Sequence, residues 1–112
     1  MNLAFTVSAR REIYEIVSRY AAENRELGVR FVEELDRCLG LLAANPRLGQ
    51  RVSGTCRRVR LRRFPYTVIY SPEPDGDVIQ VRVIYHQRRH AGYWQDRVEE
   101  PEPRYRSVPA AA

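Results

Sequence analysis

The sequence predicts an α+β fold of β-α-α-β-β-β order, a small antiparallel-rich sheet packed against an N-terminal helical hairpin. Two observations carry that prediction. Apolar residues alternate every second position at the N-terminus and again through the second half of the chain, and between these stretches two apolar stripes recur at helical spacing. With 112 residues, of which 44% are hydrophobic, the chain has material for one core and one domain.

Leu3, Phe5 and Val7 alternate with Asn2, Ala4 and Thr6, the period of a half-buried strand. Ser8 is the expected N-cap of a first helix over about Ala9 to Glu23, where Ile13, Ile16, Val17 and Tyr20 fall on one face. Asn24 to Gly28 breaks the pattern. Phe31, Leu35, Cys38, Leu39 and Leu42 then form a second stripe that ends at Asn45-Pro46, because proline disfavours helix in the residue before it. Residues Arg47 to Thr55 read as a loop. Arg58-Val59-Arg60-Leu61-Arg62 alternates basic and apolar, which on a strand sends all three arginines to one face. Tyr66 to Tyr70 has the β-branched and aromatic content of a central strand, and Pro72 to Asp77 is turn-rich. The last strand runs from Val78 to about His86, with Ile79, Val81, Val83 and Tyr85 on one side and Gln80, Arg82, Ile84 and His86 on the other. In good register, Arg82 and His86 would share the face of Arg58, Arg60 and Arg62. Residues 1–97 form the expected domain, and 98–112, with three prolines and little apolar bulk, an expected disordered tail.

The formal charge is +5, and all nineteen basic side chains are Arg. Arg suits forked binding of phosphate and carboxylate, although a GC-rich coding sequence would produce the same bias. The distribution says more than the sum. Glu12 to Asp36 holds seven acidic residues against three basic ones, whereas between Asp36 and Glu73 there are eight arginines and no acid. This segregation predicts a dipolar surface with one face suited to nucleic acid or to an acidic protein segment. No apolar run is long enough for a membrane span, and the N-terminus lacks the basic start of a signal peptide, so a cytoplasmic protein is expected. Cys38 and Cys56 lack paired metal-ligand spacing and read as ordinary thiols.

Several residues invite a chemical role beside a structural one. Arg58, Arg60 and Arg62 form either a functional face or merely the solvated side of an amphipathic strand. His86 is a candidate general acid or base if Arg82 and Arg89 lie beside it, since both would lower its pKa; otherwise it is a packing residue at a strand end. His86 and His90 have a spacing that binds metal on a helix, but with no Cys or carboxylate at ligand spacing no metal and no cofactor is expected. Tyr66, Tyr70 and Tyr85 fall on the apolar side of their strands, which disfavours an RNA-stacking module and favours core filling. Trp94 is expected to pack a C-terminal segment back onto the sheet.

The order of these elements, with Asn45-Pro46-Arg47-Leu48-Gly49 closing the second helix, then Phe64-Pro65-Tyr66-Thr67-Val68-Ile69-Tyr70, then Val81-Arg82-Val83-Ile84-Tyr85-His86-Gln87-Arg88-Arg89, resembles the RelE/ParE toxin superfamily over about Leu3 to Arg97. The resemblance implies the toxin of a bacterial type II toxin-antitoxin pair, which arrests growth unless its antitoxin binds it in a hetero-oligomer. It implies a cognate antitoxin as partner and, for some members, plasmid stabilisation.

Two activities occur in that superfamily. RelE-type members cleave messenger RNA in the ribosome, and the resemblance matches Arg58 and Arg60 to their paired strand residues, Arg89 to the basic residue after the last strand and Tyr93 to a following tyrosine. His86 joins them as a candidate if the chain is an endoribonuclease. The arginine that such enzymes carry in the central strand corresponds to Thr67, which brings no charge to a phosphate. ParE-like members trap DNA gyrase on cut DNA without those residues. Thr67, together with the Phe64-Pro65-Tyr66 and Tyr85-His86-Gln87-Arg88-Arg89 elements, places the expectation on gyrase and leaves ribosome-dependent mRNA cleavage as the alternative. An antitoxin with an acidic amphipathic segment lying across the helical hairpin would reach the Arg-rich strand.

Overall fold

The computed structural model describes residues 2–73 and 77–89, Trp94, and the backbone of 104–106. Strand β1 (Asn2–Thr6) leads into helices α1 (Val7–Glu23) and α2 (Arg25–Ala44), followed by β2 (Gln50–Ser53), β3 (Cys56–Arg60), β4 (Tyr66–Pro72), β5 (Val78–His86) and β6 (Arg104–Arg106). The sheet order is β2-β3-β4-β5-β1-β6, and β1 runs parallel to β5 while the other pairs are antiparallel. The α+β class and the order of the expected elements are as the sequence predicts, with two strands added. β2 forms within the expected loop, joined to β3 by Gly54 at φ +55° and Thr55. β6 pairs with β1 inside the stretch expected to be disordered.

Helix boundaries follow the caps. Thr6, not Ser8, caps α1: its backbone is extended and its hydroxyl accepts from the Ala9 N–H at 3.0 Å, so the helix starts at Val7 and carries that side chain into solvent. The break between the helices is one residue long. Asn24 ends α1 by donating its N–H to the Tyr20 carbonyl, and its side chain accepts from the Glu26 N–H to start α2. The expected break at Gly28 lies inside α2, where a Cβ would stand 3.0 Å from that of Ala21; glycine here lets the two helices approach closely.

The hairpin covers one face of the sheet. Ile16, Phe31, Leu35, Leu39 and Leu42 pack on Leu3, Val68, Tyr70, Ile79, Val81 and Ile84. Tyr20, Phe31, Phe64 and Tyr66 interlock mostly edge to face, with Phe31 and Phe64 ring centroids 5.3 Å apart. The opposite face carries a smaller cluster of Cys56, Ile69, Val83, Tyr85 and Trp94, so Trp94 does pack back onto the sheet.

The two clusters correct the expected phase of β5. Ile69 pairs with Val83 but Tyr70 pairs with Val81, so Arg82 is an extra residue, a β-bulge. Ile79 and Val81 face the helices; beyond the bulge Ile84 does so, and Val83 and Tyr85 point away. The chain turns helical after Thr6 and leaves this end of β5 without a strand beside it. Side chains satisfy the exposed edge instead: the Thr6 hydroxyl donates to the Arg82 carbonyl at 3.0 Å, and the Ile84 N–H donates to Glu12 at 3.2 Å.

Candidate functional site

The charge segregation in the sequence becomes a basic edge at the β2–β3 end of the sheet. On β3, Cys56 faces the smaller cluster and Val59 the larger one, so strand alternation puts Arg58 and Arg60 on the face away from the helices. Opposite them on β4 lie Ile69 and Thr67. Thr67 is 3% exposed. Arg58 donates to the neutral amide oxygen of Gln50 at 2.9 Å, and Arg60 is exposed with no side-chain partner among the described residues. Arg62, expected on the same strand face, lies beyond the end of β3: its N–H and that of Leu61 are taken by Glu34 and by the Tyr66 carbonyl. Arg63 follows at φ +67°, a left-handed conformation that costs a side-chain-bearing residue about 1–2 kcal/mol.

Arg57 faces the other way and holds structure. It donates to the Gly49 carbonyl at 2.7 Å, and the Tyr70 hydroxyl accepts from the Gly49 N–H at 2.8 Å while donating to the Pro46 carbonyl at 2.9 Å. The Asn45 to Gly49 turn is thereby clamped from β3 and β4. Burial raises the Tyr70 pKa, so the phenol stays protonated and able to donate.

Glu34 joins α2 to the loop after β3. Its carboxylate takes a forked pair of bonds from Arg37 at 2.8 and 2.9 Å and one from the Arg62 N–H. The Arg37 bonds, aided by the Arg62 N–H, hold its pKa below the usual carboxylate value against the opposing effect of burial. A carboxyl with a depressed folded-state pKa contributes stability that is present above its unfolded pKa and fades as pH falls through the folded value. The melting temperature of Glu34→Gln is therefore expected to lie below that of the parent at neutral pH. The gap should shrink as pH drops beneath the ordinary Glu range, and a constant gap would show that the carboxylate's charge contributes nothing.

His86 does not share the Arg58–Arg60 face. Its ring lies edge-on to Tyr66, centroids 5.2 Å apart, and its Nδ1 accepts from the Arg88 N–H at 3.0 Å. With Arg89, Glu12, Glu15 and Arg19 it lines a cleft of about 200 Å³ beside α1. Arg19 donates to the Tyr66 hydroxyl there at 3.0 Å. Arg82 sits with Gln80 and near Cys56 on the other side of the sheet. The structure thus brings Arg58 and Arg60 together and brings His86 and Arg89 together, but places the two pairs on different sides of the sheet. Tyr93 and His90 lie outside the described residues. Cys38 and Cys56 are free and buried, and burial pushes the Cys38 thiol up to about 11, away from reactivity. No helix among the described residues is long and apolar enough to cross a membrane.

Sequence reasoning missed one surface. Phe5, Ile13, Tyr14, Val17, Val32, Leu35 and Leu39 line an apolar groove along the outside of the hairpin, with Arg10 and Asp36 at its margins. Tyr14 is 74% exposed and Val32 39%. The available signal was that both are apolar yet fall off the core-facing stripes, so they widen the apolar arc of each helix.

The fold agrees with that of similar chains of known structure. Residues 3–91 match the family model of the ParE toxin of type II toxin-antitoxin system, parDE. Among solved structures, the chromosomal ParDE toxin-antitoxin system from P. aeruginosa superposes with a TM-score of 0.64 at 22% identity, over 77% of this chain and 95% of that one. The isolated E. coli RelE toxin superposes with a TM-score of 0.58 at 22% identity, over 85% and 93%. No curated protein matches. Since the family model spans most of the chain, the protein belongs to the ParE toxin family of type II toxin-antitoxin systems.

Proposed function

We propose that this toxin arrests growth by acting on DNA gyrase rather than by cutting messenger RNA. The observation that carries the reading is the division of the RelE-type residues: Arg58 and Arg60 lie on one side of the sheet, His86 and Arg89 on the α1 side, and Thr67 is buried where those enzymes use an arginine. A nuclease has to aim its charges at one phosphate, since electrostatic stabilisation of a transition state depends on donors preplaced around it. Here the described members of that set, Arg58 and Arg60 against Arg89, do not converge, and His86 lies with Arg89. Tight induction of the chain is expected to stop growth and to accumulate gyrase-bound DNA breaks, with no new 5′ ends inside translated codons, and Arg89→Ala is expected to arrest growth equally well. New 5′ ends that vanish in Arg89→Ala would establish the ribonuclease reading instead.

The partner that silences it is a cognate antitoxin with an acidic amphipathic segment, held in a hetero-oligomer. Its apolar face fits the groove between α1 and α2, where Tyr14 and Val32 stand exposed. α2 separates that groove from a second cleft, of about 610 Å³, where four arginines, Arg30, Arg37, Arg62 and Arg63, outnumber two carboxylates, Glu33 and Glu34. A helix is only about 10 Å wide, so a segment crossing α2 from the groove brings its acidic side chains to this basic edge.

A further inference from the structure

Seven arginines from Arg47 to Arg63 have no ion pair with a carboxylate among the described residues; the two ion pairs found there, Arg30 with Glu26 and Arg37 with Glu34, both lie within α2. Some of the seven have internal work. Arg57 holds the Gly49 turn and Arg51 donates to the Gly54 carbonyl. Arg47 lies apart, in the turn before β2, and Arg58, Arg60, Arg62 and Arg63 remain, close in sequence along β3 and the loop after it; their side chains are hydrogen-bonded to nothing beyond the neutral Gln50, with Glu34 near Arg62. The loop is fixed rather than slack, because Glu34 holds the Arg62 N–H and Tyr66 the Leu61 N–H. Arg63 is kept in a left-handed conformation that an unconstrained arginine would leave.

The surroundings of these four define the partner. Among the described residues the exposed large apolar side chains Val7, Tyr14, Val29, Val32 and Leu41 belong to the helices, and Leu48 lies in the segment leading to β2. The positions neighbouring Arg58 and Arg60 across the strands are Gln50 and the buried Ile69 and Thr67. Around Arg58 and Arg60 an amphipathic helix finds no seat for its apolar face; Arg62 and Arg63 stand on the loop that turns toward α2, where Leu27, Phe64, Glu33 and Glu34 line the cleft beside them. Tyr66 and Tyr70 are buried on the opposite, helix-facing side, Phe64 is engaged by Tyr20 and Phe31, and Tyr85 and Trp94 on the arginines' own face are packed together and buried, so the described aromatics of this region offer no platform on which unpaired bases stack. What remains is a row of forked cations spaced about 6.7 Å apart along the strand, enough for Arg58 and Arg60 to take separate phosphates. We infer that this edge binds the phosphate backbone of duplex DNA, through Arg58, Arg60, Arg62 and Arg63. The inference deepens the gyrase reading: the toxin engages DNA directly while acting on the enzyme that holds it, and the antitoxin's acidic residues compete for the same cations.

The test measures DNA binding without gyrase, so its outcome is independent of the gyrase assignment. The purified full chain is titrated into a fluorescently labelled 20-base-pair duplex of arbitrary sequence, and anisotropy is followed from 50 to 200 mM NaCl. Four phosphate contacts give a log–log salt slope of about −3.6, a loss of about 100-fold in affinity across that range. Arg58→Gln with Arg60→Gln is expected to halve the slope and weaken binding at least tenfold at 100 mM salt, as about two contacts are lost. The charge-matched control, Arg11→Gln with Arg25→Gln on the helices, is expected to stay within about twofold of the parent. Equal melting temperatures across the three proteins exclude a folding defect, since all four positions are on the surface or half-exposed. Equal losses in the two double variants would reduce the effect to net charge and overturn the proposal, as would tighter binding of single-stranded RNA than of the duplex.

Discussion

Gly49→Ala is expected to destabilise the protein by about 3 kcal/mol, since its added Cβ meets closer neighbours than at any other described glycine. A Cβ at this position would stand 2.5 Å from the Arg58 carbonyl oxygen, 2.7 Å from the Tyr70 hydroxyl and 2.9 Å from its ring. None of these neighbours is a flexible side-chain end. The Arg58 carbonyl is β3 backbone, and Tyr70 is fully buried in the larger core. Moving the Gly49 turn outward sacrifices its N–H bond to Tyr70 and the Arg57 bond to its carbonyl. Overpacking a close-packed site costs about 1–3 kcal/mol and an unmade buried hydrogen bond about 1–3 more. At about 4–8 °C per kcal/mol for a domain of this size, the melting temperature should fall by about 15 °C. Tyr70→Phe, which strands the Gly49 N–H and the Pro46 carbonyl, should cost about 2 kcal/mol. Because it also removes one of the atoms that the new Cβ strikes, the double variant should lose at least about 1 kcal/mol less than the two single losses combined. A Gly49→Ala loss below about 0.5 kcal/mol would mean the turn relaxes freely and is not clamped.

The same turn shows where sequence reasoning reached and where it stopped. Asn45-Pro46 as the end of α2 was legible, because proline acts on its own neighbours. That Gly49 must be glycine was not, since the colliding atoms come from β3 and β4. The helices were legible from their stripes, but Ser8 and Thr6 are both good caps, and the choice fell to the residue whose hydroxyl also reaches the Arg82 carbonyl. β2 was illegible because Gln50-Arg51-Val52-Ser53 carries one apolar side chain and is a strand by virtue of pairing with β3. The bulge at Arg82 was hidden for the opposite reason: Ile79, Val81, Val83 and Tyr85 alternate without interruption, so nothing local marks the extra residue that sends Val83 and Tyr85 to the other side. That one extra residue decides which side of the sheet His86 takes. The candidate residues could therefore be named from the sequence, while their division between two sides could not.

The largest expected effect on partner binding lies in the hairpin groove. Tyr14→Ala with Val32→Ala is expected to weaken the antitoxin complex by about 100-fold, measured by titration calorimetry with the full antitoxin. Tyrosine is among the side chains that most often dominate an interface, and truncating one at the centre of a desolvated patch costs about 2 kcal/mol or more; a neighbouring valine adds about 1. Tyr14 is the most exposed of the large apolar residues described, and Val32 faces the same groove from α2, so the pair removes the apolar rim on both walls. Neither change should disturb the fold by more than about 0.5 kcal/mol, because both side chains are exposed on helices and alanine is the strongest helix former. Leu48→Ala, an exposed apolar truncation outside the groove, should leave affinity unchanged. Reversing Arg62 and Arg63, which line the cleft across α2, to Glu should weaken the complex chiefly at low salt, where the acidic part of the antitoxin segment is felt most strongly. Unchanged affinity there would remove the electrostatic part of the model. If instead Tyr14→Ala with Val32→Ala binds as tightly as the parent, the antitoxin seats elsewhere, and the apolar arc widened by these two residues serves some other contact of the toxin.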